Sequence, residues 1–140
     1  MFWAIIVLLL ILCIFALRSI KDPPVMAEVR RRYTILRDNM PEKYAVLRRP
    51  VIIIGHHRDK NMDLGVNVNK GYEIHLCLGN NDPNMVFHVL IHELAHSTVP
   101  ELDHSPQFWK NMEELVQLAE SLGIYTRLTK TAFCGGTITD

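Results

Sequence analysis

Hydrophobic positions follow two regimes along the chain, an unbroken N-terminal run and a patterned remainder. Residues 2–17 carry no charged side chain, and a helix without a polar stripe is not a half-exposed surface helix. About 20 apolar residues span the core of a bilayer, with about 17 as the lower limit. The run therefore predicts a transmembrane anchor over residues 1–20, with a buried core helix as the alternative. A cleaved signal peptide is not expected, because no basic segment precedes the run and no small-residue cleavage site follows it.

The remainder of the chain alternates between helical and strand-like periods. Asp22-Pro23-Pro24 predicts a linker over residues 21–26, and residues 27–140 are long enough for one domain. Helices are predicted over residues 25–37, 83–98 and 105–122, the last two each opened by a capping residue and a proline. Strands are predicted over residues 51–54, 64–69 and 72–78, the last at the sheet edge. This order predicts an α+β fold, with a three- or four-stranded sheet packed on the helix at residues 83–98 and the next helix below.

Charge changes this picture in two ways. The net charge is zero, which argues against a nucleic-acid partner. Basic residues dominate residues 18–60 and acidic residues dominate residues 61–140, so the positive half adjoins the apolar run. By the positive-inside rule, a single-pass protein of this kind places its C-terminal domain on the cytosolic side. A lipid bilayer, contacted through residues 2–20, is then an expected partner, and the oligomeric state stays open.

The cysteines say less. Cys77 and Cys134 follow the apolar run and are 57 positions apart, with no Cys-x-x-Cys pair between them. One disulfide between them is possible, but two buried free thiols are the simpler interpretation and suit a reducing compartment.

Candidate chemistry lies on the helix predicted over residues 83–98, in His92-Glu93-Leu94-Ala95-His96. Histidines at i and i+4 share one helix face, so both imidazoles can reach one Zn²⁺ ion. Glu93, one step round the helix, can bond to a water activated by that metal and act as general base. A structural zinc that only stabilises the fold would not need a general base, so Glu93 favours a catalytic site.

A catalytic zinc site needs a third protein ligand. His104 is the leading candidate, because it lies eight residues after His96 in the turn before the next helix. Asp103 is an alternative ligand or an acceptor for an imidazole N–H. A different zinc architecture takes its ligand from the following helix, where the candidates are Glu113, Glu114 and Glu120.

The motif, followed by His104-Ser105-Pro106-Gln107-Phe108-Trp109, resembles the small zincin metallopeptidases of the WLM and SprT-like type. It is similar in particular to metallopeptidase domains encoded by large DNA viruses, over roughly residues 60 to 140. The resemblance implies a minimal zincin-like domain with zinc ligands His92, His96 and His104 and catalytic Glu93. A membrane-anchored zinc metallopeptidase of a virion or host membrane, acting on a peptide or protein substrate, is therefore expected.

Two other functions remain open on the sequence. One is a non-catalytic, membrane-anchored viral structural or interaction protein with a fold-stapling zinc; the other is a metal hydrolase acting on a non-peptide amide. The remaining candidate side chains have structural interpretations. Packing near the site is predicted for His88, Phe108, Trp109 and Tyr125. His75 is predicted to be exposed, and His56-His57 is predicted to lie in a solvated loop.

Overall fold

The computed structural model describes residues 1–19, 22–57 and 63–139. The helices are α1 (Phe2–Ser19), α2 (Pro24–Asp38), α3 (Pro83–His96) and α4 (Pro106–Ser121), with a 3-10 helical segment at Glu42–Arg48. The strands are β1 (Ile52–His56), β2 (Gly65–Val68), β3 (Glu73–Cys77), β4 (Thr131–Phe133) and β5 (Gly136–Ile138).

Helix α1 does not support the predicted transmembrane anchor. Within the described residues, no helix is both long enough and apolar enough to cross a membrane. The uncharged part of α1 is residues 2–17, which at 1.5 Å per residue rises about 24 Å against a hydrocarbon core of about 30 Å. The single-pass localisation with a cytosolic domain is therefore wrong, and the bilayer partner loses its support. Residue 20 of the predicted anchor and residue 21 of the predicted linker lie outside the described residues.

The alternative of a buried core helix is also wrong, since the side chains along α1 are mostly exposed, from Phe2 at 76% to Leu17 at 67%. The core begins in α2, where Val25 and Met26 are already buried. It continues through the helices and the sheet to Phe133 and Ile138.

The main sheet has the strand order β1–β3–β2. β3 pairs in parallel with β1 and antiparallel with β2, so it is central and the predicted edge position is wrong. The reason is that β2, although it precedes β3 in sequence, pairs along the outer side of β3 and becomes the edge itself. Ile74 and Leu76 of β3 are fully buried, as a central strand requires.

Helix α3 packs against α2, α4, β2 and β3, which places it at the centre of the domain. The predicted caps are confirmed: the Asp82 side chain accepts from the backbone N–H groups of Asn84 and Met85, and Ser105 Oγ accepts from Phe108 N at 3.2 Å. A small sheet with several packed helices gives the predicted α+β architecture and fits a zincin-like fold, without the transmembrane helix in front of it.

A two-stranded antiparallel hairpin, β4–β5, closes the chain. A disulfide joins Cys77 at the end of β3 to Cys134 in the hairpin turn, so the expectation of two free thiols is wrong. The hairpin is held there because Phe133 packs so closely on Gly79 that an added Cβ would clash with the Phe133 ring. Tertiary packing thus brings together two cysteines that the sequence separates by 57 positions.

Candidate metal centre

Three histidines converge at the C-terminal half of α3. His92 and His96 project from the same face of the helix, with ring centroids 5.1 Å apart. The loop after α3 returns His104 to them: its Nε2 lies 3.0 Å from His92 Nε2 and 3.2 Å from His96 Nε2. All three donor atoms lie within 4.8 Å of one another and could hold one metal ion. Asp103 is exposed and lies outside this group.

The environment favours the neutral, ligating form of these imidazoles. Burial, and after it the neighbouring His96, His104 and His88, lowers the pKa of His92 to about 3. Burial, followed by His104, also lowers the pKa of His96. A neutral imidazole keeps the lone pair that a metal needs. Three nitrogen donors in a solvent-reached cleft therefore fit a divalent cation of the zinc type with an open coordination position.

Glu93 lies beside the histidines and is almost completely buried, with 6% of its surface exposed. Burial, and after it the negative charge of Asp63, raises the pKa of its carboxyl group to about 7. A carboxyl group with such a pKa can both accept and release a proton near neutral pH, which is what a general base followed by a general acid must do.

Gly65, at the start of β2, permits the close approach of the sheet to Glu93. A Cβ built on Gly65 would lie 2.7 Å from Val89 Cγ1 and 2.9 Å from both Cγ and Oε1 of Glu93. Any larger residue would therefore displace α3 or the edge strand. This role of Gly65 was not predicted from the sequence, although a glycine at the start of a strand pattern is a known signal of close backbone approach.

The carboxylates considered as alternative ligands are engaged elsewhere. Glu113 and Glu120 both form ion pairs with Arg127, at 2.6 Å in each case. Glu114 is ion-paired with Lys43 at 2.7 Å. Among the candidates for the third ligand, His104 is the one whose donor atom the fold places beside His92 and His96.

The histidines open into a cleft of about 780 Å³ between α3, the edge strand β2 and the end of β5. Its apolar wall includes Val66, Leu102, Trp109 and Ile138. Phe108 is fully buried under the histidines as predicted, but Trp109 is 49% exposed and faces the cleft rather than the core. The cleft gives the candidate centre an open face along a strand edge.

The remaining histidines divide into two groups. His88 is buried and its Nδ1 lies 2.8 Å from the hydroxyl of Tyr125, also buried, which agrees with the predicted packing roles. His75 is half-buried rather than exposed, because its ring contacts His56 Nε2 at 2.6 Å and the carboxylate of Glu73. His56 ends β1 and does not belong to a loop.

An α+β fold that presents a helical His-Glu-x-x-His motif and a third histidine to an open cleft defines a metallopeptidase-like class of protein. The WLM domain family model matches residues 19–137, and the chain belongs to this family. The predicted family resemblance is thus confirmed.

Comparison with individual proteins gives one viral relative and two solved structures. "Uncharacterized protein R325" of Acanthamoeba polyphaga mimivirus is 38% identical over 78 residues, which cover 49% of this chain and 40% of the viral protein. The match thus spans less than half the length of that relative. Wss1 from Saccharomyces cerevisiae superposes with a TM-score of 0.45 at 22% identity, covering 51% of this chain and 59% of Wss1. The metallopeptidase zymogen of Pyrococcus abyssi abylysin gives 0.44 at 26% identity, covering 70% and 87%.

Proposed function

We propose that this protein is a zinc-dependent metallopeptidase in which His92, His96 and His104 hold the metal and Glu93 is the general base. The observation that carries the proposal is the convergence of three imidazole nitrogens beside a buried carboxyl group. Membership of the WLM family agrees with it.

The donor set determines what the metal would supply. A zinc ion held by three neutral imidazoles supplies Lewis acidity toward water and a substrate carbonyl. Glu93 accepts the proton of the attacking water, and its pKa of about 7 lets it return that proton to the departing amine. The Glu93 side chain lies against Gly65 of β2 and is 6% exposed, and it still borders the cleft where the water would be.

The edge strand β2 is the proposed site for the substrate backbone. Its outer edge borders the cleft through Gly65, Val66 and Asn67, and an extended peptide can add to such an edge by main-chain hydrogen bonds. The sequence predicted the edge position for residues 72–78, but β3 is central and both its edges are paired. β2 is therefore the proposed partner strand.

We also propose that the metallopeptidase domain begins at Pro24, three residues before the predicted boundary at residue 27. Helix α2 starts there, and its first turn already contributes Val25 and Met26 to the core. The domain then includes the whole of α2 and extends through the hairpin β4–β5.

The experiment compares the full chain with Glu93→Gln and His104→Ala. Zinc content and hydrolysis of a quenched fluorescent peptide library are measured for each protein. Glu93→Gln keeps the shape of the side chain and all three histidines, so zinc is retained while hydrolysis falls about 100-fold or more. His104→Ala lowers both zinc content and hydrolysis.

His57→Ala is the matched control, because His57 is an exposed histidine outside the cleft; it retains both zinc and activity. Full activity of Glu93→Gln contradicts the proposed mechanism. Zinc retention in wild type and Glu93→Gln, with no hydrolysis by either, supports a metal that only stabilises the fold.

A further inference from the structure

The turn between β2 and β3 is tied to the candidate metal centre through Lys70. The ammonium Nζ of Lys70 lies 3.0 Å from the backbone carbonyl of His96 and 3.0 Å from that of Val99. It also donates to the carbonyl of Glu101. These carbonyls belong to the last residue of α3 and to the loop that carries His104, so one side chain spans the junction between them.

The position of Lys70 follows from the chemistry of a helix end. The last carbonyls of a helix have no partner within the helix, and they carry the negative end of its dipole. A lysine ammonium offers three donors and no acceptor, and here each of the three donors has a carbonyl to bind. The contact therefore neutralises the end of α3 and fixes the loop to it with the same group.

Asn67 holds the same turn from its other side. Its amide nitrogen donates to the carbonyl of Glu93 at 2.7 Å and to Ser97 Oγ at 2.8 Å, and its amide oxygen accepts from Gly71 N at 2.6 Å. In a regular helix the backbone N–H of Ser97 would donate to the carbonyl of Glu93, but here it donates to the carbonyl of Leu94. The Asn67 amide therefore takes its place as a donor to the Glu93 carbonyl, where the helix ends. The end of α3 is thus bonded to β2 through Asn67 and to the turn that follows β2 through Lys70.

The turn itself has a demanding conformation. Asn69, Lys70 and Gly71 have φ angles of 51°, 53° and 100°, so three consecutive residues occupy the left-handed region, which a lysine rarely adopts. Such a backbone persists only where surrounding contacts determine it. The bonds from Asn67 and from the Lys70 ammonium supply those contacts.

We propose that Lys70 is a positioning residue of the metal centre, which fixes the His104 loop to the end of α3 and so sets the third ligand beside His92 and His96. The inference rests on the proposed metal site and names no contact between Lys70 and substrate. The cleft-facing turn of the edge strand thereby becomes part of the support for metal binding.

The test measures the affinity of the full chain for Zn²⁺ and Co²⁺ by competition with a chromophoric chelator. Lys70→Met keeps the length of the side chain and removes its charge and donors, so affinity falls about 10- to 100-fold, as for other partners that orient metal ligands. Lys70→Arg restores most of the affinity, because it returns a cation with several donors. The matched control, Lys130→Met, removes an exposed lysine outside the cleft and leaves affinity unchanged.

A double-mutant cycle with His104→Ala separates positioning from general destabilisation. If Lys70 acts by placing His104, Lys70→Met causes most of its loss in the wild-type background and little further loss in His104→Ala. A loss of equal size in both backgrounds, or metal binding by Lys70→Met as tight as wild type, overturns the proposal.

Circular dichroism establishes that each variant is folded. If Lys70→Met does not fold, Lys70→Gln replaces it under the same criteria. If the wild-type chain itself binds neither metal, the proposed function fails, and that result is distinct from any failure of the Lys70 proposal.

Discussion

At the scale of single residues, the site depends on how closely strand β2 approaches helix α3 as much as on its chemical groups. Gly65 brings the edge strand against Glu93 and Val89 with no room for a Cβ. The backbone of β2 consequently forms one side of the pocket that buries the Glu93 carboxyl group. The raised pKa of Glu93 is therefore a property of the β2–α3 contact and not of the helix alone.

Gly65→Ala tests this contact. The added methyl group is predicted to lie under 3 Å from Val89 and Glu93, so the strand or the helix must shift, at a cost of about 1–3 kcal/mol in the free energy of unfolding. Peptidase activity is expected to fall more than ten-fold because Glu93 moves with it. Urea denaturation and peptide hydrolysis measure the two effects. Val66→Ala, on the same strand, is the stability control and costs less than about 1 kcal/mol; equal stability of Gly65→Ala and wild type contradicts the prediction.

The residues of the site differ in how far the sequence could predict them. His92, Glu93 and His96 lie on one helix, where spacing alone determines which side chains share a face. His104 was also predictable, because only a short loop separates it from α3 and that loop can bring it back to the other two histidines. Gly65 acts across the contact between β2 and α3, a pairing that no local pattern encodes.

At the scale of elements, α3 is the rigid support of the proposed site, and its start is defined by local bonds. The Asp82 side chain accepts from Asn84 N at 2.9 Å and from Met85 N at 3.2 Å. Pro83 follows at the first helical position, where a missing N–H costs nothing.

Asp82→Ala removes this cap and is expected to lower the free energy of unfolding by about 1 kcal/mol. Asp82→Asn retains a side-chain oxygen that can accept the same bonds, so it should lose only a small part of that value. Thermal or denaturant unfolding of the three proteins measures the difference. Identical stabilities of Asp82→Ala and Asp82→Asn would show that the cap does not support α3.

Helix α2 carries a cluster of ion pairs whose contribution to the stability of the fold depends on pH. Side-chain bonds from Arg31 and then Arg32 lower the pKa of Glu28 to about 2 from an ordinary value of 4.5. Arg32 also donates to the carbonyl of Ile124 at 3.0 Å, so the cluster links α2 to the segment after α4. A group whose pKa is lower in the folded state stabilises the fold above its unfolded pKa, and that contribution is lost as pH falls through the folded pKa.

Glu28→Gln should therefore be less stable than wild type at pH 7, and the gap should close as pH falls from about 4.5 to 2. The pairs are partly exposed, so solvent screening limits the gap at pH 7 to roughly 0.5–1 kcal/mol. Denaturant unfolding at pH 7, 4 and 2.5 measures it, and added salt should reduce it at pH 7. A gap that widens toward low pH would contradict this assignment.

The elements themselves were largely predictable, but their arrangement was not. Capping residues and prolines indicate where α3 and α4 begin, because the bonds they make are local. The alternating pattern of β3 indicates a strand and was assigned to the edge, yet Ile74 and Leu76 lie in the centre of the sheet. Alternation describes the two faces of a strand and contains no information about which neighbours pair with it.

At the scale of the whole molecule, the N-terminal run and the cysteines show the same limit of prediction from sequence. Apolar composition predicted a membrane anchor, but the uncharged stretch of α1 is shorter than the thickness of a bilayer core. Cys77 and Cys134 carry no local signal of proximity, and they meet because the β4–β5 hairpin packs against the sheet, with Phe133 on Gly79. The hairpin also lines the cleft through Thr137, Ile138 and Thr139, so this crosslink connects the sheet to the wall of the proposed site.

Removal of the disulfide is the corresponding prediction for the whole chain. The bond closes a loop of 57 positions, and restriction of the unfolded chain by a loop of that size is worth about 4 kcal/mol in the chain-entropy model. The double variant Cys77→Ser/Cys134→Ser should therefore unfold at a markedly lower urea concentration than wild type. Reductant should lower the midpoint of wild type toward that of the variant and leave the variant unchanged.

Cys13→Ser is the matched control, because Cys13 is an exposed free cysteine on α1 and its replacement should not move the midpoint. Equal midpoints for wild type and the double variant under oxidising conditions would contradict the prediction, since the crosslink would then contribute nothing to stability. If the midpoint falls while the hydrolysis rate measured well below it stays constant, the hairpin holds its place by packing alone. A parallel rise in KM would instead show that the disulfide maintains the cleft wall formed by β5.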